Sequence, residues 1–263
     1  MEFLDSHCHL DDARFDVDRE KLIEEIRKAD ITKFVSAGYS KEASKTGIAL
    51  SKKYEFIYTT CGISPNDIPQ TEDELWKDIG EIKTLVKENI DDSKIVAIGE
   101  IGLDYYWEKD LKRRDWQKQA FVRQIEIANK FDLPIVIHTR EAVMDTIEIL
   151  KKNPVDKKGV FHCCPLNREL VKEALKLGFY ISFAGTITFK NSKNANEIIE
   201  MVPNDKMLIE TDSPYLAPEP VRGTRNDPRN VKFIAQKVAE VKKISLEDVA
   251  KITYKNATTI FDI

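Results

Sequence analysis

Phe3-Leu4-Asp5-Ser6-His7-Cys8-His9-Leu10, residues 3–10, reads as a short β-strand that delivers His7 and His9 to one place. Side chains two apart on a strand share a face. Two imidazoles on one face form half a metal site before any other residue is added. Cys8 lies between them and points the other way. Taken alone, a His-x-His pair is more often an accident of a half-buried strand than a ligand pair. The positions of the other histidines decide between the two readings, and they follow from the fold.

Outward from this stretch, eight short β-rich runs recur: FLDSHC from Phe3, KFVSAG from Lys33, FIYTTCG from Phe56, KIVAIGE from Lys94, PIVIHT from Pro134, GVFHCC from Gly159, FYISFAG from Phe179 and MLIETDS from Met207. Most are nearly continuous apolar runs, which suits parallel strands covered on both faces. Helical spacing fills the intervals, as in Leu22-Ile26-Ala29, Leu75-Ile79-Ile82-Val86, Phe121-Ile125-Ala128, Ile147-Leu150 and Ile234-Val238-Val241. Leu170-Ala174-Leu177 ends at Gly178, a C-cap signal, and Ser245 with Asp248 frames a capping box for a last helix. Eight strands alternating with helices over 263 residues predict a single (β/α)8 TIM-barrel domain, 1–263, of the α/β class. A doubly wound sheet is disfavoured, because no glycine-rich phosphate loop follows an early strand. The longest irregular segments, Ser64–Thr71, Asp104–Asp110, Phe189–Asn196 and Ala217–Asn230, all follow strands. That is the side on which such barrels carry their sites.

Composition narrows the classes further. With 42% hydrophobic and 33% charged residues the chain is an ordinary globular mix. It has no run of about 18 apolar residues, so no membrane span is expected. Met1-Glu2 followed by Asp5 is unlike a basic, then apolar, secretory leader, and the four cysteines do not form a disulfide framework. A cytoplasmic location is expected; no oligomer is predicted. The net charge of −4 excludes a generally basic nucleic-acid surface, so any polyanion must meet a local cationic site.

The four histidines then fall into place. His7 and His9 end the first run, His138 the fifth and His162 the sixth, while Glu100 ends the fourth and Asp212 the eighth. In a barrel these six converge at the C-terminal ends of the strands, with no histidine left over. Imidazoles with carboxylates suit Zn²⁺ or Mn²⁺, with Mg²⁺ where oxygen ligands dominate. Six ligands exceed one tetrahedral site, so two divalent metal ions are the expected cofactors. The chemistry expected is metal-assisted hydrolysis of a phosphate ester or an amide.

At this point the sequence resembles the TatD family of metal-dependent deoxyribonucleases, within the amidohydrolase-like barrels. The likeness rests on DSHCHLDD at 5–12, GEIGLDYY at 99–106, PIVIHTREA at 134–142, ETDSPYLAP at 210–218 and RGTRNDP at 222–228, and it spans nearly the whole chain. The resemblance implies His7 and His9 on one metal with Asp212 near it, Glu100 bridging, and His138 with His162 on the second. It implies a deoxyribonuclease with a metal-activated hydroxide as nucleophile, held by Asp212, and the acidic net charge favours trimming of DNA ends or single strands over wrapping of a duplex. Arg140, two residues past His138, is a candidate phosphate clamp, and Arg222 and Arg225 are further substrate-binding candidates; a surface ion pair is the competing role for each. Asp104 and Tyr105 are candidate substrate contacts. Tyr106 and Trp107 either stack on a base or pack their loop, packing being the default. Glu210 faces the same way as Asp212 and ranks below the six. Cys163 and Cys164 read as buried thiols.

Two segments depart from the family pattern. Where relatives carry G-[IV]-H-P-H after strand three, this chain has Gly62-Ile63-Ser64-Pro65-Asn66. Where they carry H-[CS]-[FY]-[ST]-G after strand six, it has His162-Cys163-Cys164-Pro165-Leu166. Neither touches the six ligands. Both alter a wall of the site, and Ser64 and Asn66 can hydrogen-bond but carry no charge. Two other readings therefore stand beside the nuclease: a binuclear hydrolase of small amides, esters or lactones, and a metal-binding barrel without turnover.

Overall fold

The computed structural model describes residues 1–263. Eight strands follow one another in chain order through one sheet, and the pairings along it are parallel. The elements are β1 (Phe3–Cys8), α1 (Arg19–Lys28), β2 (Ile31–Ser36), α2 (Lys41–Lys53), β3 (Ile57–Cys61), α3 (Glu72–Asn89), β4 (Ile95–Asp104), α4 (Leu111–Lys130), β5 (Ile135–Arg140), α5 (Val143–Lys152), β6 (Gly159–Phe161), α6 (Arg168–Lys176), β7 (Tyr180–Phe183), α7 (Ala195–Met201), β8 (Met207–Ile209), α8 (Val231–Lys242) and α9 (Leu246–Phe261). This is the strand order and alternation of a (β/α)8 barrel. No helix is long and apolar enough to cross a membrane.

The local patterns behave as their periodicity requires. Every residue of β1 and of β4 is buried, as continuous apolar strands must be when both faces are covered. The stripe Leu75, Ile79, Ile82 and Val86 is the buried face of α3, and Ile234, Val238 and Val241 lie on that of α8. Thr71 and Ser245 cap α3 and α9 by accepting the amides of Glu74 and Asp248.

The chain packs as two compact parts. One comprises Met1–Ser36, His162–Leu175 and Tyr180–Ile263. In it α9 lies against β1, β8 and α8, over a core that includes Leu4, Phe34, Phe183, Leu208 and Phe261. The other comprises Ala37–Phe161 with Lys176–Phe179. There α2 packs on β3, α4 on β4, and α3 touches both α2 and α4.

Strand ends differ from the sequence reading in a way that matters for the site. Glu100 does not end its strand: β4 runs on to Asp104 because Ile101 and Leu103 stay buried and Gly102 to Asp104 pair with His138 to Arg140. Glu100 instead sits where the register against β5 shifts, between Ile98 and Ile101. Conversely β6 and β8 stop at Phe161 and Ile209, and His162 and Asp212 stand on the turns beyond them. Cys163 (φ 36°) and Asp212 (φ 54°) adopt left-handed backbone at those turns, a conformation that terminates a strand and is uncommon outside glycine.

Candidate metal centre

In the first part, β1 and the segment after β8 continue to pair past their strand ends. The Asp212 amide donates to the His7 carbonyl at 3.0 Å, and the His9 amide donates to the Ser213 carbonyl at 2.7 Å. Three side chains are thereby drawn together. His7 Nε2 lies 3.3 Å from His9 Nε2, His9 Nε2 lies 3.1 Å from Asp212 Oδ1, and His7 Nε2 lies 3.7 Å from the same oxygen. Bonds of about 2.0–2.1 Å to a tetrahedral zinc would place neighbouring ligand atoms about 3.3–3.4 Å apart. The triangle's sides of 3.1, 3.3 and 3.7 Å straddle that spacing, and its three atoms are the lone-pair donors that a divalent cation takes. The residues present therefore fit a metal.

Burial by itself would raise the Asp212 carboxyl, but the His9 hydrogen bond and the imidazoles of His9, His162 and His7 hold it below the usual carboxylate range. His162 stacks on His7, ring centroids 4.0 Å apart and 16° from parallel, and one donor atom each from His7, His162 and Asp212 lie within 4.8 Å of one another. His162 Nδ1 is 3.3 Å from Glu210 Oε1, which accepts the Cys163 amide at 2.6 Å. Glu210 thus lies beside the far nitrogen of His162 without a hydrogen bond to it.

Two buried tethers hold this group. The Asp5 carboxylate accepts the Thr211 amide at 2.8 Å, the Thr211 hydroxyl, and the His7 amide at 3.3 Å. Asn226, from the RGTRNDP loop, donates to the carbonyls of Thr211 and Tyr215 at 2.9 and 2.7 Å, closing the turn that carries Asp212. Outside it, Tyr215 sits edge-on to His9 at 5.8 Å and under the Arg14 guanidinium at 4.0 Å. Arg14 in turn makes a bidentate pair with Asp12 at 2.8 and 2.7 Å, which holds the Asp12 carboxyl well below its ordinary range.

In the second part, His138 stands between two carboxylates. Its Nδ1 is 3.0 Å from Glu100 Oε1 and its Nε2 is 2.9 Å from Asp104 Oδ2. The first contact has the spacing of adjacent ligands; the second anchors the ring from behind. Asp104 is fully buried; burial raises its carboxyl, but the bonds from His138, the Trp107 amide and Asn66 outweigh this and hold it low. Asp104 is thus an orienting carboxylate for His138, a role that its sequence reading as a substrate contact did not include. Asn66, one of the residues that depart from the family pattern, donates to Asp104 Oδ2 at 3.1 Å, and Ser64 donates to Asp67 at 2.6 Å. Of the substituted residues, Asn66 therefore supports His138 through Asp104. Asp104→Asn keeps the shape but presents an amide to the imidazole, and should weaken metal binding about 10- to 100-fold. A metal titration followed by calorimetry checks this; unchanged affinity would confine Asp104 to its loop.

The three candidate arginines separate. Arg225 pairs with Asp18 at 2.7 and 2.6 Å and donates to the Arg14 carbonyl at 2.8 Å. Arg222 lies over Phe189 at 3.7 Å, and Arg140 lies over Tyr106 at 3.7 Å; neither has a carboxylate partner. Burial pushes the Cys61 thiol up to about 12 and Cys164 further, whereas Cys163, expected to be buried, is only half-buried.

The family model for TatD-related DNases matches residues 4–262. The chain is 40% identical over 262 residues to the uncharacterized metal-dependent hydrolase YabD of Bacillus subtilis (strain 168), covering 98% of each. It is 35% identical over 272 residues to the uncharacterized metal-dependent hydrolase YcfH of Escherichia coli (strain K12), covering 100% of this chain and 97% of that one. The crystal structure of YjjV, a TatD homologue from Escherichia coli K12, superposes with a TM-score of 0.91 at 24% identity over 99% of this chain and 98% of that one, and so has the same fold. With its metal-fitting histidines and acids and a family match over nearly its full length, the chain belongs to the TatD-related DNase family of metal-dependent hydrolases.

Proposed function

We propose that this hydrolase cleaves phosphodiesters and acts on DNA at ends or in single-stranded regions. The observation that carries the proposal is the donor triangle of His7, His9 and Asp212. The full ligand set proposed is His7, His9, Glu100, His138, His162 and Asp212, holding two divalent ions; support comes from the strand order, which is that of a fold with its sites at the strand C-termini. Such ions polarise a phosphate oxygen and lower the pKa of water when bound. The protein's own groups do the rest. Asp212, held ionised, orients water and accepts its proton. Asp104 keeps His138 aimed, and Glu210 lies beside His162. Arg140, with no carboxylate competing for it, is placed to hold a phosphate oxygen. A net charge of −4 favours an end inserted into a pocket over a wrapped duplex.

The test is removal of metal by chelation followed by add-back of Zn²⁺, Mn²⁺ or Mg²⁺, with labelled oligonucleotides and a panel of small amides, esters and lactones as substrates. Nucleotide release that vanishes on chelation and returns with one ion is the expected result. Turnover of the small panel alone would replace the nuclease by the second enzyme class, and bound metal without any turnover would leave a scaffold. Glu100→Ala should lose metal content and activity together, at least about 100-fold in rate, with the circular dichroism spectrum unchanged. Retained turnover would remove Glu100 from the ligand set.

A further inference from the structure

Beyond the ligands, β4 and β5 end in a cluster with the opposite character to the buried site. Tyr106 is 39% exposed and Trp107 67% exposed, so packing within the loop, the default reading, still leaves most of the Trp107 ring in water. Their rings meet edge to face at 4.7 Å and 84°. The Arg140 guanidinium lies 3.7 Å over Tyr106 and 5.7 Å from the Trp107 ring. A large flat side chain held out in water, beside a cation with no acidic partner, offers a ring face and a charge together.

The cluster is also fixed in place and tied to the site. Asp104 Oδ1 accepts the amides of Tyr106 and Trp107 at 2.9 and 3.0 Å, while its Oδ2 holds His138 Nε2. The Tyr105 amide donates to the Arg140 carbonyl at 2.8 Å, and the backbones of Asp104 and Arg140 lie in register across the two strands. One carboxylate therefore sets both the aim of a proposed metal ligand and the start of the aromatic loop. Arg140 lies two residues beyond His138 on the same strand, roughly 7 Å further along. A flat ring plus a guanidinium, rigid before binding and about one nucleotide from the proposed reaction centre, is the composition of a base-stacking platform with a phosphate contact.

We infer that Trp107, with Tyr106 and Arg140, forms a subsite that stacks an unpaired nucleobase of the strand being cut, next to the scissile phosphate. This rests on the phosphodiester reading above and names the substrate feature recognised: an unstacked base, which a duplex interior does not offer. Stacking is indifferent to base identity, so the subsite selects single-stranded ends without sequence preference.

The experiment pairs Trp107→Ala with oligothymidylates carrying one abasic nucleotide, scanned across the positions flanking the cleaved bond. For the intact strand, Trp107→Ala should raise KM roughly tenfold with kcat little changed, and Trp107→Phe should recover most of the loss. The abasic nucleotide at the stacked position should raise KM of the unaltered protein by a similar factor and that of Trp107→Ala no further. Equal KM values for the variant and the unaltered protein, or equal losses on intact and abasic strands, would overturn the subsite. Binding of a fluorescently labelled oligothymidylate, read by anisotropy in chelator, separates the two readings. A Trp107-dependent Kd with no cleavage under any ion keeps the platform and removes the nuclease, whereas a Kd indifferent to Trp107→Ala removes the platform whether or not the strand is cut.

Discussion

Asp212→Asn should lower kcat by roughly 10²- to 10⁴-fold while leaving much of the metal in place, the range typical for loss of a general base. The amide retains an oxygen that can face His7 and His9, at 3.7 and 3.1 Å in the parent, but it cannot accept the proton of an attacking water. The carboxyl is suited to that task because, against the cost of burial, three imidazoles and the His9 hydrogen bond keep it ionised. Its position is also enforced: the backbone there is left-handed at φ 54° and is pinned by the His7 carbonyl and, through Thr211 and Tyr215, by Asn226. Metal content by emission spectrometry alongside single-turnover rates checks the split. A variant that loses its metal and its rate in parallel would make Asp212 a ligand only.

Asp5→Ala should be the most destabilising single change near the site, by about 3 kcal/mol, which in a chain of this size lowers Tm by roughly 6–12 °C. Asp5 is completely buried, and its removal strands the amides of Thr211 and His7 that it accepts at 2.8 and 3.3 Å. Buried donors left without acceptors cost about 1–3 kcal/mol each. Asp5→Asn should cost less than half as much. Burial pushes the Asp5 carboxyl well above its usual range, and the amide is nearly its isostere: one oxygen remains for the Thr211 amide, and the nitrogen can donate to the Thr211 hydroxyl. Thermal melts of the two variants in chelator separate this tether from metal loss. Equal melting of Asp5→Ala and the parent would show that the β1 and β8 ends are held by their backbone pairing alone.

These expectations draw unequally on sequence and structure. The eight apolar runs, the helical stripes between them and the histidines and acids near strand ends are local patterns, and the fold they imply is the one found. Glu100 illustrates the limit of pattern reading. Its run looked finished at KIVAIGE, yet β4 continues four residues because Ile101 and Leu103 are buried and pair alongside β5. The arginines illustrate another. Arg222 and Arg225 lie in one loop and look alike in sequence, but Asp18, 207 residues away in the chain, engages only Arg225.

What the sequence by itself determined is the set of elements and which of them carry chemistry, because burial on two faces and strand alternation are encoded residue by residue. What only the tertiary structure decided is partnership: that Glu210 lies beside His162, that Asn66 and Asp104 back His138, that Arg140 lies on Tyr106, and that Trp107 stays in water. Those relations join side chains brought together by loop paths and rotamers over distances of about 3 Å, the range of a hydrogen bond. Periodicity along a chain carries no record of them.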